Sequence, residues 1–149
     1  MVVADDVRLG HVCEEHVAWQ PTVAAYQPGR FYLRELPPIT AVLATTERLD
    51  LLVIDGYVDL DPEGTPGLGA RLYAQTGLPV IGVAKTVFRA ATHAIAIHRA
   101  RAARPLYITA AGLPADRAAA LVTAMAGPHR IPDALRRVDT LARRGRGQR

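Results

Sequence analysis

A nearly continuous apolar run that ends in an acid and a glycine most constrains this chain. The segment RLDLLVIDGYVDLDP, residues 48–62, places four apolar residues directly before Asp55 and Gly56. A short apolar run bounded by a glycine predicts a strand that is buried on both faces of a parallel or mixed sheet. A carboxylate at the end of such a strand is costly to desolvate unless a cation or donor meets it. Open α/β sheets bind their ligands at this edge, so Asp55 is a candidate site residue.

A second apolar run repeats this arrangement with a base in place of the acid. LPVIGVAKT, residues 78–86, ends in Lys85, the only lysine among eighteen basic residues. Since the chain uses arginine for positive charge everywhere else, a single lysine at a strand end indicates a specific task. The alternative is an ordinary surface cation.

Length and composition indicate a single domain with no membrane segment. The 149 residues can bury a core, and no apolar stretch approaches the ~20 residues of a membrane span. The N-terminus, MVVADDVRLG, has acids where a signal peptide needs bases, and the single Cys13 cannot form an internal disulfide. We therefore expect a cytoplasmic protein that does not associate with membranes.

The positive charge is concentrated at the C-terminus. The net charge is +4, and residues 136–149 contain six arginines and one acid. We expect a folded domain over residues 1–142 and a flexible basic tail over residues 143–149. Such a tail is either a solubilising terminus or a sequence-independent contact for nucleic-acid phosphates.

The hydrophobic pattern predicts strands first and then alternating strands and helices. We expect a hairpin over 2–19, a third strand over 22–29 and a helix over 34–49. The Asp55 strand is followed by a helix that ends at Gly77, the Lys85 strand, and helix or loop over 89–104. A last strand over 104–112, a helix that ends at Gly127 and a short final helix after Asp133 complete an α/β domain with a mixed sheet.

Five ordered blocks of the sequence resemble the endonuclease V family, which cuts nucleic acid near deoxyinosine or inosine. AYQPGRFYLRELPPI resembles the family's Pro-Tyr-x-Pro-Gly segment and its Arg-Glu-x-Pro-Pro helix start. DLLVIDGYVDLDP resembles its Asp-Gly strand, and LPVIGVAKT is similar to its Ile-Gly-Val-Ala-Lys-Ser. RPLYIT and HRIPDALRRVDTLAR resemble its late strand and its Arg-Leu-Pro-x-Pro-x-Arg-x-Ala-Asp C-terminus.

The resemblance implies an RNase H-like fold and a DNA-repair nuclease that acts on DNA or RNA with Mg²⁺ or Mn²⁺. Glu35 and Asp55 match the family's metal-binding carboxylates, and Lys85 matches the lysine near the scissile phosphate. The residues that match the wedge filling the space of a displaced base are Tyr26, Pro28 and Gly29. We also expect nucleic-acid contacts from Gly56, Arg136, Arg137, Arg143 and Arg144.

The residue types support this chemistry without the resemblance. Phosphodiester hydrolysis needs a hard cation, and Mg²⁺ prefers a few carboxylates plus water. Glu35 at a helix start and Asp55 at a strand end could share one ion, beside a lysine that neutralises transition-state charge. A stiff Tyr-x-Pro-Gly turn could replace a stacked base. The structural alternatives are a helix N-terminus for Glu35, turn chemistry for Asp55 and the core rim for Tyr26.

The N-terminal part of the family pattern is incomplete here. The family's first catalytic acid lies in a Gly-Val-Asp-Val strand more than forty residues before the glutamate, whereas only 34 residues precede Glu35. We expect residues 1–19 to match the family's second and third strands, which leaves the first strand absent. The other register makes Asp6 the missing metal ligand. An absent central strand would expose backbone groups. Either a second copy or another partner covers them, or the sheet closes differently, or the true polypeptide starts upstream of Met1.

Two family histidines are also replaced in this chain. Asp61-Pro62 stands at the family's His-Pro, where Asp61 could still bind metal, and residues 109–112, TAAG, stand at its Ser-Pro-Gly-His. We therefore expect an endonuclease V-like nuclease with weak or lost activity. The alternatives are a non-catalytic nucleic-acid-binding or interaction protein with the same fold, and a metabolic enzyme that uses Lys85 as a nucleophile.

Overall fold

The computed structural model describes residues 1–22 and 24–146 of the chain. Within them the elements are, in chain order, β1 (Val2–Ala4), β2 (Val12–Glu15), α1 (Tyr32–Leu43), β3 (Leu52–Asp55), α2 (Leu68–Thr76), β4 (Val80–Ala84), β5 (Ile95–Ile97), β6 (Leu106–Ala111), α3 (Ala115–Ala124) and α4 (Asp133–Arg146). The predicted hairpin, the Asp55 and Lys85 strands and the helix that ends at Gly77 are all present.

A mixed four-stranded sheet in the order β3-β4-β6-β5 organises the molecule. β3 runs parallel to β4 and places Asp55 opposite Val83, whereas β6 runs antiparallel to both β4 and β5. Because β3 and β4 are parallel, their carboxyl ends meet at one edge of the sheet. This arrangement brings Asp55 and Lys85 together, although thirty positions separate them in the sequence.

Helices cover both faces of this sheet. Successive side chains of a strand point to opposite faces, so Ile81 and Val83 pack with α3 and the start of α4. Val80 instead joins a cluster with Leu72 of α2, against which Ile39 of α1 packs. The result is a three-layer α/β domain in which β4 is buried along its whole length.

β3 lies at the edge of the sheet, and its outer side is open. The N–H of Leu52 donates to the Pro79 carbonyl at 2.8 Å, and the N–H of Gly56 donates to the Val83 carbonyl at 3.0 Å. Since backbone groups alternate along a strand, those of Val53 and Asp55 point away from β4. Among the described residues, no backbone partner meets them, and β1 and β2 form a separate two-stranded sheet. This agrees with the register in which the family's first strand has no counterpart.

Three predicted elements differ from the observed ones. The described residues of 22–29 are exposed and contain no strand; Pro28 removes a donor, and no neighbouring strand edge meets the segment. Residues 95–97 form β5 because they pair with the free edge of β6, which outweighs their alanine-rich surroundings. The final helix α4 is long rather than short.

α4 also changes the description of the predicted basic tail. Its 14 residues include positions 143–146, so the first part of the segment expected to be flexible is helical. Residues 147–149 of that tail lie outside the described residues. No helix in the described part of the chain is long and apolar enough to cross a membrane.

Candidate active site

Two carboxylates share the ammonium group of Lys85. Its Nζ lies 2.6 Å from Oδ2 of Asp55 and 3.1 Å from Oδ2 of Asp139. Asp55 ends β3, Lys85 follows β4 and Asp139 lies in α4, so three separate elements converge at one point. The side chains are 49%, 31% and 43% exposed for Asp55, Lys85 and Asp139, respectively, which leaves the cluster open to a ligand.

The surroundings of Lys85 favour its charged form. Burial acts to lower the pKa of Lys85, but the hydrogen bonds and charges of Asp55 and Asp139 outweigh burial and raise this pKa. A Schiff-base nucleophile needs an uncharged amine. The geometry therefore argues against the metabolic enzyme that would use Lys85 as a nucleophile.

Glu35 lies in the electrostatic neighbourhood of this cluster. It sits in the first turn of α1, and the residues Pro37 and Pro38 lie inside the same helix. The pKa of Glu35 is raised first by burial of the carboxyl group and then by the negative charge of Asp55. The negative charge of Asp55 on β3 thus reaches Glu35 on α1, and the shared metal ion expected for these two acids stays a prediction.

The turn after Asp55 is fixed by close packing against β4 and β6. Gly56 has φ +136°, a conformation that favours glycine. A Cβ on Gly82 would lie 2.6 Å from the Gly56 carbonyl oxygen and 2.7 Å from Thr109 Oγ1. Thr109 Oγ1 accepts the buried N–H of Val58 at 2.8 Å. Thr109 therefore anchors the segment that carries Asp55, a role that the sequence did not reveal.

Tyr57 ties this turn to the segment after Lys85. Its hydroxyl donates to the Thr86 carbonyl at 2.8 Å and accepts the N–H of Phe88 at 3.0 Å. The rings of Tyr57 and Phe88 are 6.1 Å apart. The chain segments on either side of the Asp55–Lys85 pair are thus bonded to each other.

The two acids predicted as further metal ligands, Asp6 and Asp61, are engaged in local turns. The Asp6 carboxylate accepts backbone N–H bonds from His11 at 2.7 Å, Arg8 at 2.9 Å and Gly10 at 3.2 Å. Asp61 accepts the N–H of Thr65 at 2.9 Å. Hydrogen bonds lower the pKa of both acids, chiefly the bond from His11 for Asp6 and those from Thr65 for Asp61. Within the described part of the chain, no hydrogen bond or ion pair joins Asp6 or Asp61 to the Lys85 cluster.

The predicted wedge is an exposed turn before α1. The Tyr26 side chain is 63% exposed. The N–H of Arg30 donates to the Gln27 carbonyl at 3.0 Å, and Gly29 has φ +73°. Pro28 restricts the same turn. The structure thus presents an aromatic ring on a tight turn nine residues before Glu35.

α4 carries the predicted arginines on its exposed surface. A shallow depression of about 400 Å³ is lined by Asp133, Arg136, Arg137, Asp139, Thr140 and Arg143. Arg136 pairs with Asp133 at 3.7 Å, and Arg137 pairs with Glu15 of β2. Among the described residues, no ion pair involves Arg143 or Arg144. The positive charge of α4 is therefore least compensated near its C-terminal end.

Comparison with known proteins identifies the family of this chain. The family model described as Endonuclease V matches residues 1–95. The endonuclease V of Streptomyces avermitilis is 31% identical over 164 aligned positions, which cover 96% of this chain and 71% of the relative. The chain belongs to the endonuclease V family. The endonuclease V of Xanthomonas oryzae pv. oryzae is 44% identical over 73 residues, which cover 48% of this chain and only 30% of that relative.

Solved endonuclease V structures share the fold. The crystal structure of the Streptomyces avermitilis protein has a TM-score of 0.69 at 28% identity and covers 83% of this chain and 63% of its own. A Ciona intestinalis endonuclease V, crystallised with DNA containing an inosine followed by a ribo-adenosine, has a TM-score of 0.76 at 15% identity. That match covers 97% of this chain and 76% of the Ciona protein. The predicted RNase H-like mixed α/β fold is thus confirmed.

Asp139 is the site residue that the sequence interpretation missed. It lies in the block HRIPDALRRVDTLAR, whose family counterpart ends in an aspartate, and this was the available signal. The arginines of this block predict nucleic-acid contact and draw attention away from the acid among them. Only the packing of α4 shows that Asp139 reaches Lys85 at 3.1 Å.

Proposed function

We propose that this protein is an endonuclease V-like nuclease that hydrolyses a phosphodiester near deoxyinosine or inosine. It would act in cytoplasmic DNA repair with Mg²⁺ or Mn²⁺. The convergence of Asp55, Lys85 and Asp139, with Glu35 within electrostatic reach of Asp55, carries this proposal. Family membership supports the reaction type, and the DNA bound by the Ciona relative supports nucleic acid as the ligand.

The donor set fits a small hard cation. The negative charge of Asp55 raises the pKa of Glu35, so these two carboxylates favour an added cation. Mg²⁺ is commonly held by one or two carboxylates, with water and phosphate oxygens in the remaining positions. No group of three His, Cys, Asp or Glu side chains forms a ready cage in the described part of the chain. When bound, the ion would polarise the phosphate.

The chain's own residues would position and neutralise the phosphodiester. Asp55 and Glu35 would hold the ion, and Asp139 would position Lys85 beside them through its ion pair. Lys85 would offset the negative charge that develops as the attacking water forms a bond to phosphorus and the P–O bond breaks. We leave Asp6 and Asp61 outside this ligand set because backbone N–H groups already use their carboxylates.

Nucleic-acid contacts would come from the turn before α1 and from the surface of α4. Tyr26, on its Pro28-Gly29 turn, would stack in the space left by a displaced base. Gly56 would allow the nucleic-acid backbone to approach closely, since a Cβ built on this residue meets no other atom within 4 Å. The arginine surface of α4 adjoins the cluster through Asp139, which lines the same depression.

The cleavage assay uses a deoxyinosine duplex, an inosine RNA and an unmodified duplex, each with and without Mg²⁺ or Mn²⁺. We expect metal-dependent cutting by the wild-type protein and its loss in the isosteric double variant Glu35→Gln/Asp55→Asn. Asp50→Asn is the matched control, because Asp50 is an exposed acid five positions before Asp55. Cutting that survives in the double variant would refute the assigned roles.

A second function is favoured by the partial donor set. Lys85 already neutralises Asp55, and no three-residue cation cage exists among the described residues. A nucleic-acid-binding or interaction protein that keeps the fold without cutting would fit this arrangement. Salt-sensitive binding that the Glu35→Gln/Asp55→Asn variant retains, with no cutting by the wild type, would support this second function.

The arginines offer a separate test of nucleic-acid contact. Each phosphate neutralised by a basic residue makes log K fall with log salt concentration by about 0.9 on duplex DNA. Replacing Arg143 and Arg144 by glutamine should therefore reduce that slope by up to about 2. Arg136→Gln/Arg137→Gln is the matched pair, and its smaller expected effect follows from the ion pairs with Asp133 and Glu15.

We also propose that a strand from another chain covers the outer edge of β3, a second copy being the first to test. The outward backbone groups of Val53 and Asp55 have the two-residue spacing that a neighbouring strand needs. Val53→Pro removes an outward N–H without breaking the ladder to β4. Light scattering should show a wild-type dimer that this variant converts to monomer; a monomeric wild type would exclude the second copy.

A further inference from the structure

Lys85 occupies the position in this cluster that a cation would otherwise take. Both acceptor oxygens, one from Asp55 and one from Asp139, lie within 3.1 Å of the same nitrogen. Two carboxylates facing one point repel each other unless a positive group stands between them. In this cluster the ammonium of Lys85 supplies that charge.

A divalent cation that coordinates Asp55 competes with this ammonium for the same carboxylate. Mg²⁺ binds carboxylate oxygens at about 2.0–2.1 Å, while the ammonium contacts Asp55 Oδ2 at 2.6 Å. Coordination of Asp55 would therefore place two positive groups next to each other beside the same carboxylate. Their repulsion favours departure of the more flexible group. This group is Lys85, because its side chain has four methylene groups about which it can rotate.

We infer that Lys85 is an internal substitute for the metal ion, which pins Asp55 to Asp139 in the metal-free protein and is displaced when the ion binds. This inference rests on the proposed function. The displaced ammonium becomes free to meet a phosphate. A cavity of about 180 Å³ lies beside this residue, and it is lined by Lys85 together with Val87, Arg104, Tyr107 and Arg130.

The sequence makes this displacement directly observable in the unaltered protein. Lys85 is the only lysine, so growth on lysine labelled with ¹³Cε and ¹⁵Nζ gives NMR signals from one side chain. With Mg²⁺ alone as the probe, we expect these signals to shift to the averaged position of a mobile lysine. Backbone amides of Asp55 and Gly56, recorded in the same titration, report whether the ion binds at the site.

The two failures can be told apart in that titration. Amide shifts at Asp55 with an unchanged Lys85 signal would overturn the displacement and leave the proposed metal site standing. No change in either set of signals at saturating Mg²⁺ would overturn both. Movement of both sets with the same midpoint supports the inference.

Calorimetry with Mn²⁺ gives an independent measurement. Because the ion no longer competes with an ammonium group, Lys85→Met should bind Mn²⁺ at least about tenfold more tightly than wild type. Lys85→Arg keeps the charge and should bind no more tightly than wild type. In the Asp139→Asn background the gain from Lys85→Met should shrink, since the neutral amide no longer holds the ammonium in place. Equal affinities of wild type and Lys85→Met would overturn the inference.

Discussion

Replacing Thr109 by valine tests how the fold holds the turn that carries Asp55. Thr109 is 2% exposed, and its hydroxyl accepts the N–H of Val58 at 2.8 Å. Valine has nearly the same shape but no acceptor, so the buried N–H of Val58 loses its partner. Thr109→Ser is the matched variant, because it keeps the hydroxyl and loses only a methyl group.

Typical energies for the lost groups give the expected loss of stability in the two Thr109 variants. A buried N–H left without a partner costs about 1–3 kcal/mol, which raises the fraction of unfolded protein roughly 5- to 150-fold. The methyl group lost in Thr109→Ser costs about 0.8 kcal/mol in burial. The two variants could therefore differ little in global stability. They should differ clearly at the Val58 amide, where only the valine variant loses the hydrogen bond.

Hydrogen exchange at individual amides separates the two variants. We expect the Val58 amide to exchange faster in Thr109→Val than in Thr109→Ser, after correction for global stability measured by urea unfolding. The Val83 amide in the adjacent strand β4 serves as an internal reference. Equal protection of Val58 in both variants would show that the hydroxyl does not anchor this turn, and the reasoning would be refuted.

Three further predictions follow from single contacts. Without metal, Glu35→Gln should raise the free energy of unfolding at pH 7 and leave it unchanged below pH 4.5, the ordinary pKa of the carboxyl group. The reason is that a carboxyl group whose pKa is raised by folding destabilises the folded state as the pH rises above its ordinary pKa. Denaturant unfolding at pH 3 and pH 7 measures this, and the same change in stability at both pH values would contradict it. Gly82→Ala should cost about 1–3 kcal/mol in urea unfolding, since its Cβ would lie 2.6 Å from the Gly56 carbonyl oxygen, and a change below about 0.5 kcal/mol would contradict the clash. Arg99→Lys should destabilise the protein by at least about 2 kcal/mol in the same assay, since the buried guanidinium donates to carbonyls of residues 125–130, and a wild-type midpoint would speak against that role.

The parts of the fold that the sequence predicted well are those fixed by local pattern. The apolar runs before Asp55 and Lys85 became β3 and β4, and Gly77 ends α2 with φ +71°. In each case the hydrophobic pattern and the residue that ends the element predict the same structure, and tertiary contacts agree with this prediction. The parallel pairing of β3 with β4 then followed from two buried strands joined by a helix.

The failures involve elements whose structure depends on a distant partner. Residues 95–97 form a strand only because β6 offers an edge, and the described part of 22–29 stays irregular without one. The length of α4 was hidden because its arginines suggested a solvated tail. A coil-like composition does not prevent helix formation when one face packs against a core.

The candidate site shows the same division between local and distant information. Asp55 and Lys85 could be named because each lies at the end of a predicted strand, where open α/β sheets hold ligands, and Glu35 could be named through its match to the family's glutamate. Asp139 could be predicted from its matching family block, but its contact with Lys85 depends on where α4 packs, and the role of Thr109 depends on where β6 packs. No local pattern indicates that Thr109 faces the turn after Asp55, since hydroxyl side chains inside strands are common and usually structural.

The electrostatics of the cluster distinguish it from an ordinary surface ion pair. In an ion pair that only stabilises the fold, the cation lowers the pKa of its carboxylate partner, and no charge is left in an unfavourable position. Here Asp55 also raises the pKa of Glu35, so the fold holds a second acid where its negative charge is unfavourable. Such an arrangement persists only if packing around the two acids stabilises the fold enough to offset the unfavourable charge. Groups with pKa values shifted in this way are common at functional sites. β3, β4 and α1 supply that packing, and the unfavourable charge of Glu35 near Asp55 is the electrostatic feature on which the proposed metal site depends.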